Sequence, residues 1–170
     1  MKLTHLATAI LFAATATASY AASPDSYIGK PPSHLMKKQP QFAKAVRDAL
    51  KDQDLPGWTQ RLAVGFPAEA VEIEGKKLIL TSACSPQGGC KDERLYLLYV
   101  PGEKTVTGFF FLAPNLEAPG DHRIAMSRWL GGVPPKAHSD FLMQRALEDT
   151  WSPEEKAAAK EAEAAKKAPQ

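Results

Sequence analysis

Cysteine is scarce in this chain: Cys84 and Cys90 are the only two among 170 residues. That scarcity excludes a multi-bridge mini-protein and a four-thiolate zinc site, so the fold has to be held by burial. An excess of one charge is missing as well. Lys and Arg total 21 against 19 Asp and Glu, a formal +2, and no basic stripe carries interleaved aromatics; the pattern argues against nucleic acid as a partner. No apolar run beyond the N-terminus is long enough to span a bilayer, so no membrane insertion is expected. The sequence holds no G-x-S-x-G, Walker loop, dinucleotide fingerprint or H-E-x-x-H. His34, His122 and His138, the histidines beyond residue 21, offer no two ligands on one helical face, so neither a metal nor a cofactor is expected. Asp121-His122 and His138-Ser139-Asp140 invite a triad reading, but Asp121 and Ser139 read more simply as N-caps before the apolar runs that follow. An enzyme is therefore not expected.

What is present fits one modest globular domain with additions at both ends: 44% of residues are apolar and 24% charged. Residues 1–21 read as a cleavable signal peptide, with Lys2 before a short apolar stretch and small Ser19 and Ala21 ahead of the cut. The expected compartment is an oxidising periplasm. Lys2 leaves with the signal and takes the formal charge from +2 to +1. Residues 22–40, with Pro24, Pro31, Pro32 and Pro40, read as an extended leader with little to bury. The domain itself is expected over 41–151. Phe42, Val46, Ala49 and Leu50 fall on one face of a helix over 41–53. After Leu55-Pro56-Gly57-Trp58 the period drops to two. Val71 and Ile73 alternate with Glu72 and Glu74, a turn follows at Gly75-Lys76, and strands are expected over 78–83, 95–100 and 105–112. Leu95 to Val100 is apolar on both faces, as a covered central strand would be. Shorter helices are expected near 124–130 and 141–149, giving an α+β fold with an antiparallel meander of about five strands packed by helices. Residues 152–170 open with the capping box Ser152-Pro153-Glu154-Glu155 and continue as Ala, Lys and Glu, with no large apolar residue to bury.

The chemistry-bearing feature is the C-x5-C segment Cys84-Ser85-Pro86-Gln87-Gly88-Gly89-Cys90 between two expected strands. The spacing favours a short-range disulfide across a hairpin tip, against a redox pair, which would want C-x-x-C at a helix start. Two roles stand open for such a bridge. It staples a hairpin end, or it fixes a projecting loop in advance and so reduces the ordering entropy lost when that loop binds. Trp58, Trp129 and Trp151 admit a saccharide groove but each ends an expected element, where core anchoring is the commoner role. Phe109 to Phe111 reads as a central strand before it reads as a dimer contact.

The run Leu55-Pro56-Gly57-Trp58, the segment Thr81-Ser82-Ala83-Cys84 with Pro86 and Cys90, and Thr107-Gly108-Phe109 resemble, in that order, the inhibitor of vertebrate lysozyme (Ivy) family over about residues 42–112. The resemblance implies a periplasmic α+β domain whose disulfide-closed loop plugs the active-site cleft of a C-type lysozyme or another peptidoglycan-cleaving enzyme, and a capacity to form a homodimer. The family's inhibitory loop reads Cys-Lys-Pro-His-Asp-Cys. Here Ser85 stands at the lysine, Pro86 matches, Gln87 stands at the histidine, and Gly88-Gly89 replace the aspartate with one residue added. The lysozyme cleft holds one acid with a raised pKa and one ionised carboxylate, and an imidazole that can carry charge suits it better than an uncharged amide. Exchanging a hydrogen bond with a charged group for a neutral one loses roughly 1–2 kcal/mol, about five- to thirty-fold in affinity. A mature charge near +1 also supplies little attraction toward a basic lysozyme. Of the acids Glu69, Glu72, Glu74, Asp92 and Glu93, near the loop in sequence or on adjacent strands, a plain solvated sheet face is the simpler reading. The expectation is weak inhibition of a vertebrate lysozyme. The alternatives are a divergent envelope protein of that family, a structural or interaction domain that has lost inhibition of C-type lysozyme, and a regulator of endogenous lytic transglycosylases.

Overall fold

The computed structural model describes residues 24–87, 89–112 and 126–150. The signal peptide expected over residues 1–21, Gly88, Asp121, His122, Trp151 and residues 152–170 lie outside the described residues.

Proline punctuates the N-terminal part, but it does not leave it extended. A 3-10 turn at Pro24–Ser26 leads to helix α1 (Pro32–Lys38), and Pro40 opens helix α2 (Pro40–Leu50). Both helices carry proline in the first turn, where its fixed φ is already helical and its missing N–H has no intrahelical partner to lose. The extended leader expected over 22–40 is corrected accordingly: Tyr27 and Leu35 are fully buried, and Ala68 on the neighbouring strand exchanges backbone hydrogen bonds of 2.8 Å with Gly29 and Lys30. Leu35→Ala is expected to lower unfolding free energy by about 2–3 kcal/mol, the lower part of the range for buried leucines because a seven-residue helix can settle into the gap. Urea denaturation measures it; an extended, solvated leader would give no change.

The five strands form one antiparallel sheet in the order β1-β2-β3-β4-β5. They are β1 (Val64–Ile73), β2 (Lys76–Ser85), β3 (Glu93–Val100), β4 (Thr105–Leu112) and β5 (Met126–Leu130). The expected α+β meander is present, with every central strand covered on both faces. On one face α1 and α2 bring Leu35, Phe42 and Val46 against Ile79, Leu97 and Phe110. On the other, helix α4 (Lys136–Thr150) places Leu142 and Ala146 over Leu80, Tyr96 and Leu98. The helical face expected in 41–53 is the buried face of α2, including Phe42, Val46, Ala49 and Leu50.

Two expectations fail locally. Residues 126–130 form an edge strand on β4, not the expected helix, pairing from Gly108↔Leu130 to Leu112↔Met126. Five residues are too few for periodicity to separate the two forms, and pairing along β4 satisfies backbone groups that a one-turn helix would leave open. Ser139 is not an N-cap either. Helix α4 begins at Lys136, and the Ser139 hydroxyl donates to the Lys136 carbonyl at 2.8 Å inside the first turn.

Candidate functional site

Strand β2 delivers the first cysteine and the short helix α3 (Gly89–Asp92) the second. Cys84 lies opposite Arg94 at the end of the β2–β3 ladder, so the two strands bring the chain back on itself where the loop must close. The disulfide joins Cys84 and Cys90, whose Cα atoms are 4.9 Å apart. Cys84 and Ser85 are buried, Cys90 is half-buried, and Pro86 and Gln87 are exposed. The Ser85 hydroxyl accepts from the Gln87 backbone N–H at 3.4 Å, the local side-chain turn that serine favours, next to a proline suited to the first corner position. Of the seven residues expected to form the site, the structure thus offers the side chains of Pro86 and Gln87 to solvent, uses Cys84, Ser85 and Cys90 as the frame, and starts a helical turn at Gly89.

The loop is held by a residue that sequence reasoning missed. Helix α3 stops before the Cys90 carbonyl reaches its next helical donor, because the backbone N–H four residues on belongs to β3. The guanidinium of that same residue, Arg94, takes its place. Its Nε donates to the Cys90 carbonyl at 2.8 Å and its Nη2 donates to the same oxygen. Nη1 pairs with the Asp149 carboxylate at the end of α4. The guanidinium lies 5.1 Å from the Phe66 ring centroid and 5.6 Å from that of Tyr96, contacts that suit the planar, weakly hydrated arginine head. Asp149 also accepts from the Tyr96 hydroxyl at 3.0 Å. Burial, with the neighbouring Asp149 charge adding to it and Arg94 opposing it, pushes the Tyr96 phenol well above its ordinary value. It therefore stays a donor at any physiological pH. Arg145 completes the group, 2.8 Å from Glu69 and with Nε 3.8 Å from Asp149. Together with Thr81 and Ser82 these side chains line a cleft of about 420 Å³ beside the loop.

The acids expected near the loop separate. Glu69 is engaged with Arg145, and Glu74 is in the β1–β2 turn beside Glu72, at the opposite end of β2 from Cys84. Only Asp92 and Glu93 adjoin the loop in the structure. The apparent triad His138-Ser139-Asp140 disperses: His138 Nδ1 meets the Thr107 hydroxyl at 3.2 Å, Ser139 bonds Lys136, and Asp140 pairs with Lys136. Trp58 is buried 6.3 Å from Phe110, and Trp129 packs 4.4 Å from Phe109, both centroid to centroid. These rings anchor the two faces of the core. Phe109 and Phe110 are buried on opposite faces, in keeping with a central strand. Among the described residues no three His, Cys, Asp or Glu side chains are grouped to hold a metal ion, and no helix is long and apolar enough to cross a membrane.

No protein-family model matches the chain, and no curated protein matches it significantly.

Proposed function

We propose that the protein is an exported, Ivy-like inhibitor that inserts the Cys84–Cys90 loop into the active-site cleft of a C-type lysozyme or a related muramidase. The observation that carries this reading is a loop with exposed Pro86 and Gln87 on a frame closed by a disulfide and tied to β3. A tip fixed before contact loses less conformational entropy on binding than a free loop. Pro86 limits the backbone, and Gln87 presents an amide that both donates and accepts, matched to a cleft containing one protonated and one ionised carboxyl. Catalysis is no part of the reading. The amide in place of an imidazole lowers affinity for a vertebrate enzyme and makes an endogenous lytic transglycosylase the second target to test.

Titration of the purified protein against a C-type lysozyme and a lytic transglycosylase is the deciding experiment. Gln87→His is expected to raise affinity for the C-type enzyme about five- to thirty-fold. Cys84→Ser/Cys90→Ser is expected to lower stability by about 2.4 kcal/mol, the chain-entropy value for so small a loop, and to weaken inhibition beyond that because the tip is freed. Inhibition of either enzyme that is indifferent to both changes overturns the loop as the contact surface. Failure of the wild type on both enzymes, with no gain from Gln87→His, overturns the proposal.

A further inference from the structure

We infer that helix α4 sets the conformation of the inhibitory loop through Asp149 and Arg94, which makes these two side chains positioning residues for target binding. The inference rests on the proposed function only in taking the loop as the contact surface; the coupling itself is a property of this chain alone.

A disulfide fixes the separation of two ends and leaves the turn between them free to rotate. In this loop Cys84 is tied into the β2–β3 ladder, but Cys90 belongs to a four-residue helix with too few internal hydrogen bonds to hold its own orientation. Two N–H groups of Arg94 on one carbonyl oxygen supply what the helix lacks. They do so only while the guanidinium keeps its plane, and an arginine side chain has several rotatable bonds. The plane is set from outside the loop. Nη1 is held by Asp149, a residue 55 positions further along the chain, and the Phe66 and Tyr96 rings pack beside the guanidinium. Asp149 is in turn oriented by the Tyr96 hydroxyl, with Arg145 nearby. The Arg94 side chain is 10% exposed and that of Asp149 23%, so solvent screens the pair far less than it does the surface pairs Lys44–Asp48 and Lys136–Asp140. With Asp149 neutralised, the guanidinium is free to turn toward water, and Cys90 loses both donors.

The test uses the disulfide-intact protein and three variants: Arg94→Lys, which keeps the charge but lacks the planar fork that puts two donors on the carbonyl and a third on Asp149, Asp149→Asn, and the double variant. Asp140→Asn, which breaks an exposed pair at the other end of α4, is the control. Backbone hydrogen exchange is followed separately in residues 86–92 and in the β2–β3 ladder, and each variant is titrated against a C-type lysozyme. Exchange in the loop is expected to rise about tenfold in Arg94→Lys and in Asp149→Asn with little change in the ladder, and affinity for the enzyme to fall by about the same factor. The double variant is expected to be no worse than Arg94→Lys alone, since both act on one contact. Loop exchange unchanged in the variants, loop and ladder rising together, or additive losses would each overturn the coupling. Loop exchange that responds as expected in a protein that inhibits nothing supports the coupling and overturns the proposed function instead.

Discussion

Phe110→Ala is expected to lower unfolding free energy by about 3–5 kcal/mol, the usual range for a fully buried aromatic. Phe110 has no exposed surface and lies on the face packed by α1 and α2. Its ring lies 6.3 Å from that of Trp58. Its backbone pairs with Leu95 on one side and Arg128 on the other, so the strand cannot shift inward to fill the space without breaking two ladders. Urea denaturation followed by tryptophan fluorescence reads the loss directly. Phe111→Ala is the matched comparison. That side chain faces the opposite side, is only half-buried and packs at the margin of the cluster under α4, so a loss of less than half as much is expected. Equal losses would contradict the assignment of the two faces.

Gly65→Ala is expected to destabilise by about 3 kcal/mol, the upper part of the overpacking range, although it adds a single methyl group. A Cβ at this position would lie 2.2 Å from the Ser82 carbonyl oxygen, 2.7 Å from Cγ of Pro32 and 3.0 Å from Cα of Ala83. Two of those atoms are backbone and the third belongs to a proline ring, so none can swing aside. The glycine therefore sits where β1, β2 and the start of α1 approach too closely for a side chain. The position bears on the loop, because Gly65 pairs with Ala83 and the adjacent Val64 pairs with Cys84. Relief of the clash has to part the strands beside the disulfide. Denaturation together with loop hydrogen exchange should register both effects, whereas Gly57→Ala, with nothing within 4 Å of the added carbon, should be close to neutral. An unperturbed Gly65→Ala protein would mean that β1 and β2 do not meet in this register.

Much of the architecture is legible in local patterns. Alternation at Val71–Glu74 marks the end of β1, the turn after it marks β2, two-sided apolarity marks β3 as a central strand, and the spacing of Phe42, Val46 and Leu50 marks the buried face of α2. Local signals failed where distant groups made the decision. The prolines before Gln41 read as breakers, yet they start helices because Tyr27 and Leu35 find a sheet face to bury against. Residues 126–130 read as a helix, yet β4 recruits them as a strand.

For the candidate site, the chain by itself determined the loop: two cysteines at close spacing, a proline and a glutamine at the tip, and strands on either side, all set by neighbours within ten residues. Only the tertiary structure decided what holds that loop. Arg94 sits in an apolar strand and Asp149 ends a helix, and neither residue has a local pattern that points to the other. Their pairing, with Phe66 and Tyr96 beside the guanidinium, exists because α4 packs across the sheet and brings a carboxylate to the arginine that donates to the Cys90 carbonyl. A charge pair that depends on packing at long separation leaves no periodic trace in sequence, since the energy that places it is the burial of Leu142 and Ala146 elsewhere on the helix.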